Sequence, residues 1–271
     1  MREDIAVNFT DSMFRGMYNG KQYHVADIAT VLSRAWSAGV DRIIRDFSAQ
    51  LVCTQQDEFD DSGDPEKHFE ALLSLAKEGV EKGKYFEKQF ELAYATKLPM
   101  FLHMRAAAED FCDILEQNKH RFCSGVAHSF TGSAKDRDRL LSFSNLYIGV
   151  NGCSLKTSEN LDVVKGIPLE RMMIETDSPY CEIKNTHTGI NFVKSTWPSK
   201  KKEKQVLEVV AGCKGIADVD QLSKTLYHNT CSMLTKLIGS SQRIAFLYRV
   251  FFPQDLDSAA DALLAGGQSA S

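Results

Sequence analysis

No uncharged apolar run in this 271-residue chain approaches the roughly 18 residues that a membrane-spanning helix needs. The opening stretch carries Arg2, Glu3, Asp4, Asp11 and Arg15, charges that a secretory leader excludes. No two of the seven cysteines stand in C-x-x-C spacing, and the number is odd. Reduced thiols in the cytoplasm are therefore expected, with the nucleus as the alternative compartment. There is no excess of positive charge: 32 Lys and Arg against 36 Asp and Glu leave a net charge of −4. A protein that holds polyanions by bulk electrostatics is excluded, and a local basic patch is not. No G-x-G-x-x-G or G-x-x-x-x-G-K-[ST] follows any strand pattern, so a nucleotide cradle has no support. Low-complexity tracts and fixed-period repeats are missing too. What remains is an ordinary globular composition, 43% hydrophobic and 25% charged, in one large domain or two small ones.

Short apolar segments alternate with amphipathic ones along the chain. Ile5 to Asn8, Arg42 to Ile44, Pro99 to His103, Gly125 to His128, Leu146 to Val150 and Met172 to Glu175 are predicted strands, with Leu51 to Thr54 a weaker seventh. Apolar throughout and flanked by helical patterns, they suit buried parallel strands. Between them Phe69, Leu72, Leu73, Ala76 and Val80 mark a helix face, as do Phe86, Phe90 and Ala93, and then Phe111, Ile114 and Leu115. Ser133 stands where an N-cap belongs, ahead of a helix over Ala134 to Leu141. From Glu203 to about Leu237 the pattern is helical with a break at Gly215. Alternation of this kind implies an α/β fold with a parallel sheet, either open and doubly wound or closed as a (β/α)₈ barrel. Polar residues at several strand ends favour the barrel, whose active sites are built there. Residues 1–238 are expected to form the barrel and 239–271 an extension, in which the apolar Ile244 to Phe252 docks as a strand or helix and the Ala-, Gly- and Ser-rich end is mobile.

Three strand ends carry candidate chemistry: His103, His128, and the Glu175-Thr176-Asp177 run. Imidazole nitrogens and a carboxylate meeting at one barrel mouth make a reasonable shell for a divalent ion. A strand-end histidine taken alone is more often a hydrogen-bonded core residue, and three at equivalent ends weigh against that plain reading. Glu175 beside Asp177 is read as structural, since a strand alternates its faces.

The words around these residues are more specific. Asn8-Phe9-Thr10-Asp11, Phe101-Leu102-His103-Met104-Arg105, His128-Ser129-Phe130-Thr131-Gly132, Tyr147-Ile148-Gly149 and Ile174-Glu175-Thr176-Asp177-Ser178-Pro179-Tyr180 occur in this order, with Asn229-Thr230 near the last helix. Together they resemble the TatD family of metal-dependent deoxyribonucleases over residues 1 to about 231. The resemblance implies a (β/α)₈ TIM barrel of the metal-dependent hydrolase type and hydrolysis of DNA phosphodiester bonds, in the 3′ to 5′ direction. It implies His103, His128 and Asp177 as metal ligands, with Asp177 also the base for the attacking water. The cofactor it implies is a divalent ion, Mg²⁺ first and Mn²⁺ or Zn²⁺ as alternatives. Asn8 stands where related amidohydrolases carry a first-strand H-x-H. DNA is then the partner, no membrane is involved, and a monomer is expected.

The chain also departs from the family. The G-x-H-P segment expected after the third strand is replaced by Gln55-Gln56-Asp57-Glu58-Phe59, and the G-E-x-G-L-D segment with its metal-holding glutamate by Lys82-Gly83-Lys84. Only Arg45 to Gln50 separate Ile44 from Leu51, too few for a parallel crossover, which usually takes a dozen or more residues. The expectation is thus an incomplete barrel, short of one strand and one crossover helix. An R-N-E-P stretch is missing near Lys204, and Ser232 to Tyr248 looks inserted. The rival to an active DNase is a variant that keeps the family's surface and acts as a binding protein or not at all. A weaker third is a related hydrolase of small esters or amides.

Smaller signals complete the reading. Lys200 and Lys201, within Trp197-Pro198-Ser199-Lys200-Lys201-Lys202, form the one dense basic run and would meet DNA phosphates or simply face solvent. Arg105 would clamp a phosphate or close a rim salt bridge. Cys153 and Cys181 read as buried thiols without a catalytic role. Among the remaining histidines only His187, in the loop after Asp177, invites a test.

Overall fold

A computed structural model describes residues 3–8, 11–37, 42–45, 86, 90–91, 93–94, 99–104, 107–194, 202–235 and 250–251. Its centre is a four-stranded parallel sheet of β5 (Met100–His103), β6 (Gly125–His128), β7 (Leu146–Val150) and β8 (Met172–Ile174), in that order. β6 and β7 are buried at every position. That is why they read as continuous apolar runs rather than alternating ones: helices cover one face and the barrel interior the other. A second sheet holds β1 (Glu3–Val7), β4 (Arg42–Arg45) and β9 (Val250–Phe251). β1 and β4 are parallel, and β9 lies antiparallel on β4 through Ile43–Phe251 and Ile44–Val250. Val250 and Phe251, from the apolar segment near the end of the chain, thus enter as a strand. A two-stranded hairpin, β2 (Met17–Tyr18) with β3 (Lys21–Gln22), follows β1.

One bridge joins the two larger sheets. Val7 pairs in parallel with Ser178, and the Asn8 N–H donates to the Ser178 carbonyl at 2.8 Å. The strands accordingly run β5-β6-β7-β8-β1-β4-β9, with the last parallel strand set against the first, as a (β/α)₈ barrel requires. The C-terminal ends of β1, β5, β6, β7 and β8 therefore share one rim.

The helices are α1 (Ile28–Ser37), α2 (Ala108–Gln117), α3 (Ala134–Leu141), α4 (Ser158–Lys165), α5 (Lys202–Lys214) and α6 (Val219–Thr235). Ser133 starts α3 with a reciprocal capping box to Asp136, and Thr157 starts α4 the same way with Asn160. Each box satisfies amide donors that a helix start otherwise leaves open. Phe111, Cys112 and Leu115 on α2 and Val206, Leu207, Val209 and Val210 on α5 are buried in one core with Leu146, Ile148 and Met172. Burying each Leu or Ile contributes about 2 kcal/mol. α6 is pinned to the start of β8 by Asn229, whose Nδ2 donates to the Leu169 and Met172 carbonyls at 2.6 and 2.7 Å. The predicted strand over Leu51 to Thr54 and the helix over Phe69 to Val80 lie outside the described residues, as do Gln55 to Phe59 and Lys82 to Lys84, while Lys204, near which the R-N-E-P stretch is missing, lies in α5.

Candidate active site

β5 and β6 end level, so His103 stands directly across from His128. Their rings lie 5.2 Å apart, centre to centre. Phe101, two residues before His103 and hence on the same face of β5, stacks on His128 at 4.6 Å. His103 is exposed at the rim, and His128 is buried behind it.

His128 is backed by a carboxylate. Glu175, immediately after β8, is 2% exposed, and its Oε1 stands 3.1 Å from His128 Nδ1. The same oxygen accepts the Ser129 backbone N–H at 2.5 Å and the Asn151 side-chain amide at 3.4 Å. Asn151 in turn donates to the Ser129 hydroxyl at 2.9 Å and accepts the Cys153 N–H at 2.9 Å. Residues just past β6, β7 and β8 are thus tied into one knot beneath the rim. Gly149 makes room for it, because a Cβ there would fall 2.9 Å from Glu175 Oε2. Ser129 holds a φ of 51°, a left-handed conformation that serine adopts at a cost and that turns its N–H toward Glu175.

Asp177 sits two residues on, also left-handed at φ 55°. Its Oδ1 accepts Asn8 Nδ2 at 3.1 Å, and its Oδ2 accepts the Cys181 thiol at 3.4 Å. Asn8 Nδ2 also reaches the Ser178 carbonyl at 3.2 Å. The first-strand asparagine is therefore the side chain that orients Asp177. Tyr180 donates its hydroxyl to the buried Asp11, which ties the loop after β8 to the loop after β1.

The expected convergence is met in part. His103 and His128 come together, and an imidazole with a carboxylate at one nitrogen is how proteins orient a histidine that ligates through the other. Asp177 does not join them closely: among the described residues no three His, Cys, Asp or Glu side chains are grouped so as to hold an ion. The histidine pair fits a divalent cation, and a closed three-ligand shell is not assembled. Glu175 faces the interior knot rather than the mouth. Arg105, Lys200 and Lys201 lie outside the described residues.

Two features depart from the sequence reading. Cys153 and Cys181, read as buried, are half-exposed, and their sulfurs lie 2.8 Å apart. The hydrogen bond between them draws the Cys153 thiol below its usual range, with Lys156 acting in the same direction. Asn151 was not among the candidates, although a polar residue directly following an all-buried strand was the available signal. His187 accepts the Lys184 N–H at 3.2 Å, and burial first, then Lys156 and Lys184, hold its pKa low. The loops after β7 and β8 therefore bring two lysines to one region.

Comparison with known proteins decides the family. The family model for TatD related DNase matches residues 74–235, more than half of the chain. The chain belongs to this family. The deoxyribonuclease Tat-D of Schizosaccharomyces pombe is 34% identical, the match covering 86% of this chain and 95% of that one. A 3′-5′ ssDNA/RNA exonuclease TatD of Rahnella is 39% identical over a shorter stretch, 35% of this chain and 37% of that one. A metal-dependent hydrolase of Buchnera aphidicola matches at 39% over the same shares. Among solved structures, an amidohydrolase from Saccharomyces cerevisiae superposes with a TM-score of 0.67 at 27% identity, covering 86% of this chain and 99% of that one. The TatD TIM-barrel fold read from the motifs is thereby established for this chain. The match to the S. pombe protein runs over 299 positions, more than the 271 residues present here, so that relative carries stretches without counterpart in this chain.

Proposed function

We propose that this chain is a divalent-metal-dependent deoxyribonuclease that removes nucleotides from the 3′ end of DNA at the rim formed by β5, β6 and β8. The observation that carries the proposal is the in-register pair His103–His128, backed by buried Glu175 and placed on the same rim as Asp177. His103 and His128 would hold the ion, with Asp177 as the third donor once an oxygen leaves its present partner. When bound, the ion, Mg²⁺ in the first instance, lowers the pKa of a coordinated water and polarises a phosphoryl oxygen. Asp177 would take the proton from the attacking water, a role supported by the Asn8 amide that donates to its carboxylate and would hold it in orientation. Lys156 and Lys184, with Arg105, Lys200 and Lys201, supply local positive charge for the phosphate backbone on a chain whose net charge is −4.

The test uses single-stranded DNA labelled at its 5′ end, incubated with the full chain and Mg²⁺. Products should shorten progressively from the 3′ end, stop on chelation, and fall at least about 100-fold in rate in Asp177→Asn, which keeps the shape and loses the base. Cleavage that survives Asp177→Asn would place the chemistry elsewhere.

A second reading rests on its own observations. The ungrouped third donor and the stretches missing relative to the S. pombe protein favour a chain that keeps the DNA-facing rim without turnover. DNA binding without cleavage in the same assay would select it.

A further inference from the structure

Outside the histidine pair, the rim holds a second cluster that the proposed reaction does not use. Cys153 lies in the short helical turn Gly152–Leu155 after β7, and Cys181 in the loop after β8. Because β7 and β8 are neighbours in the sheet, their following loops run side by side. The contact is enforced by backbone: a Cβ on Gly152 would fall 1.9 Å from the Cys181 carbonyl oxygen, so only glycine fits there. Asn151 fixes the turn from the other side by accepting the Cys153 N–H. Cys181 has a φ of 54°, the left-handed conformation that brings its side chain to the turn. The result is an Sγ–Sγ separation of 2.8 Å, closer than two unbonded sulfurs ordinarily approach, in a place open enough for a small oxidant.

We propose that Cys153 and Cys181 are a reversible oxidation site, closed to a disulfide by a hydroperoxide. With hydrogen peroxide, one thiolate attacks a peroxide oxygen, breaks the O–O bond and becomes a sulfenic acid, expelling hydroxide that takes up the proton given up by the thiol and leaves as water. The other thiolate attacks that sulfur, expels hydroxide, which leaves as a second water, and forms the S–S bond. Two thiols give up two electrons and the peroxide takes them. The two sulfurs already lie within hydrogen-bonding distance of each other, in loops that are only partly buried. Closure also removes the S–H that Cys181 donates to Asp177, leaving Asn8 as the side chain that holds that carboxylate.

The test is peptide mapping of the full chain after one equivalent of hydrogen peroxide, with free thiols alkylated before digestion. The expected result is a single cross-linked pair joining the peptides of Cys153 and Cys181, the loss of two titratable thiols per chain, and full recovery on reduction with dithiothreitol. Cys181→Ser should lose the cross-link and the paired loss of thiols. Both cysteines recovered as separate alkylated or over-oxidised peptides, or cross-links joining other cysteines, would overturn the proposal. The mapping is made on the unsubstituted chain, so it decides the matter even where Cys181→Ser fails to fold.

Discussion

Replacing Glu175 by alanine is expected to destabilise the chain by about 3 kcal/mol, the largest loss of any single polar substitution at the rim. Glu175 is 2% exposed, and its Oε1 is the acceptor for the Ser129 N–H at 2.5 Å and for the Asn151 amide at 3.4 Å. Alanine takes the acceptor from the Ser129 N–H, leaves the Asn151 amide only its bond to the Ser129 hydroxyl, and opens a cavity against Gly149. The stranded N–H belongs to a residue in the left-handed region, so the strain at Ser129 loses the bond that offsets it. Glu175→Gln keeps an oxygen for the Ser129 N–H but brings an amide group to the Oε2 position, which accepts no hydrogen bond among the described residues. Its loss should be smaller, about 1 kcal/mol. Urea unfolding of the two variants measures both values. A loss below about 0.5 kcal/mol for the alanine variant, typical of surface positions, would show that the knot does not hold the rim together.

His128→Ala is expected to abolish metal-dependent cleavage, at least about 100-fold in kcat/KM, while removing little of the fold. The ring stacks on Phe101, lies across from His103 and has Glu175 behind it. Three separate contacts therefore set its direction, as a ligand requires. Truncation removes the donor and leaves Glu175 its bonds to Ser129 and Asn151. The variant should unfold cooperatively near the wild-type temperature and yet be inert with Mg²⁺ and with Mn²⁺. Retained cleavage in a folded His128→Ala protein would assign the metal to other residues.

Much of the scaffold is legible in the amino-acid sequence, for a physical reason. Gly125–His128 and Leu146–Val150 are buried on both faces, and Ala134–Leu141 begins with a capping box, so local pattern and final environment agree. β1 and β8 end one residue earlier than predicted, at Val7 and Ile174, while the Asn8 and Glu175 N–H groups still donate to the Ser178 and Val150 carbonyls and their side chains serve the rim. Apolar periodicity does not reveal the β2–β3 hairpin, whose turn rests on Asn19-Gly20, two left-handed residues of the kind such a turn needs, φ 49° and 68°. The contacts within the site were less legible. Asn8 and Asp177 are 169 residues apart and meet because the last parallel strand is set against the first. Glu175 meets Asn151 and Ser129, and Cys153 meets Cys181, because β6, β7 and β8 are adjacent in that order. Spacing along one chain does not carry strand order, and each of these pairs depends on it.

The most direct test of a metal site at this rim is thermal unfolding of the full chain with and without Mn²⁺ or Mg²⁺. A ligand that binds only the native state at about 100 times its dissociation constant adds about 2.7 kcal/mol, which moves the melting temperature of a domain this size by about 5 °C or more. The expected result is a cooperative transition that rises by that amount with metal in the wild-type chain and does not rise in His128→Ala. A cooperative transition indifferent to both ions, or one that rises equally in His128→Ala, would contradict the account.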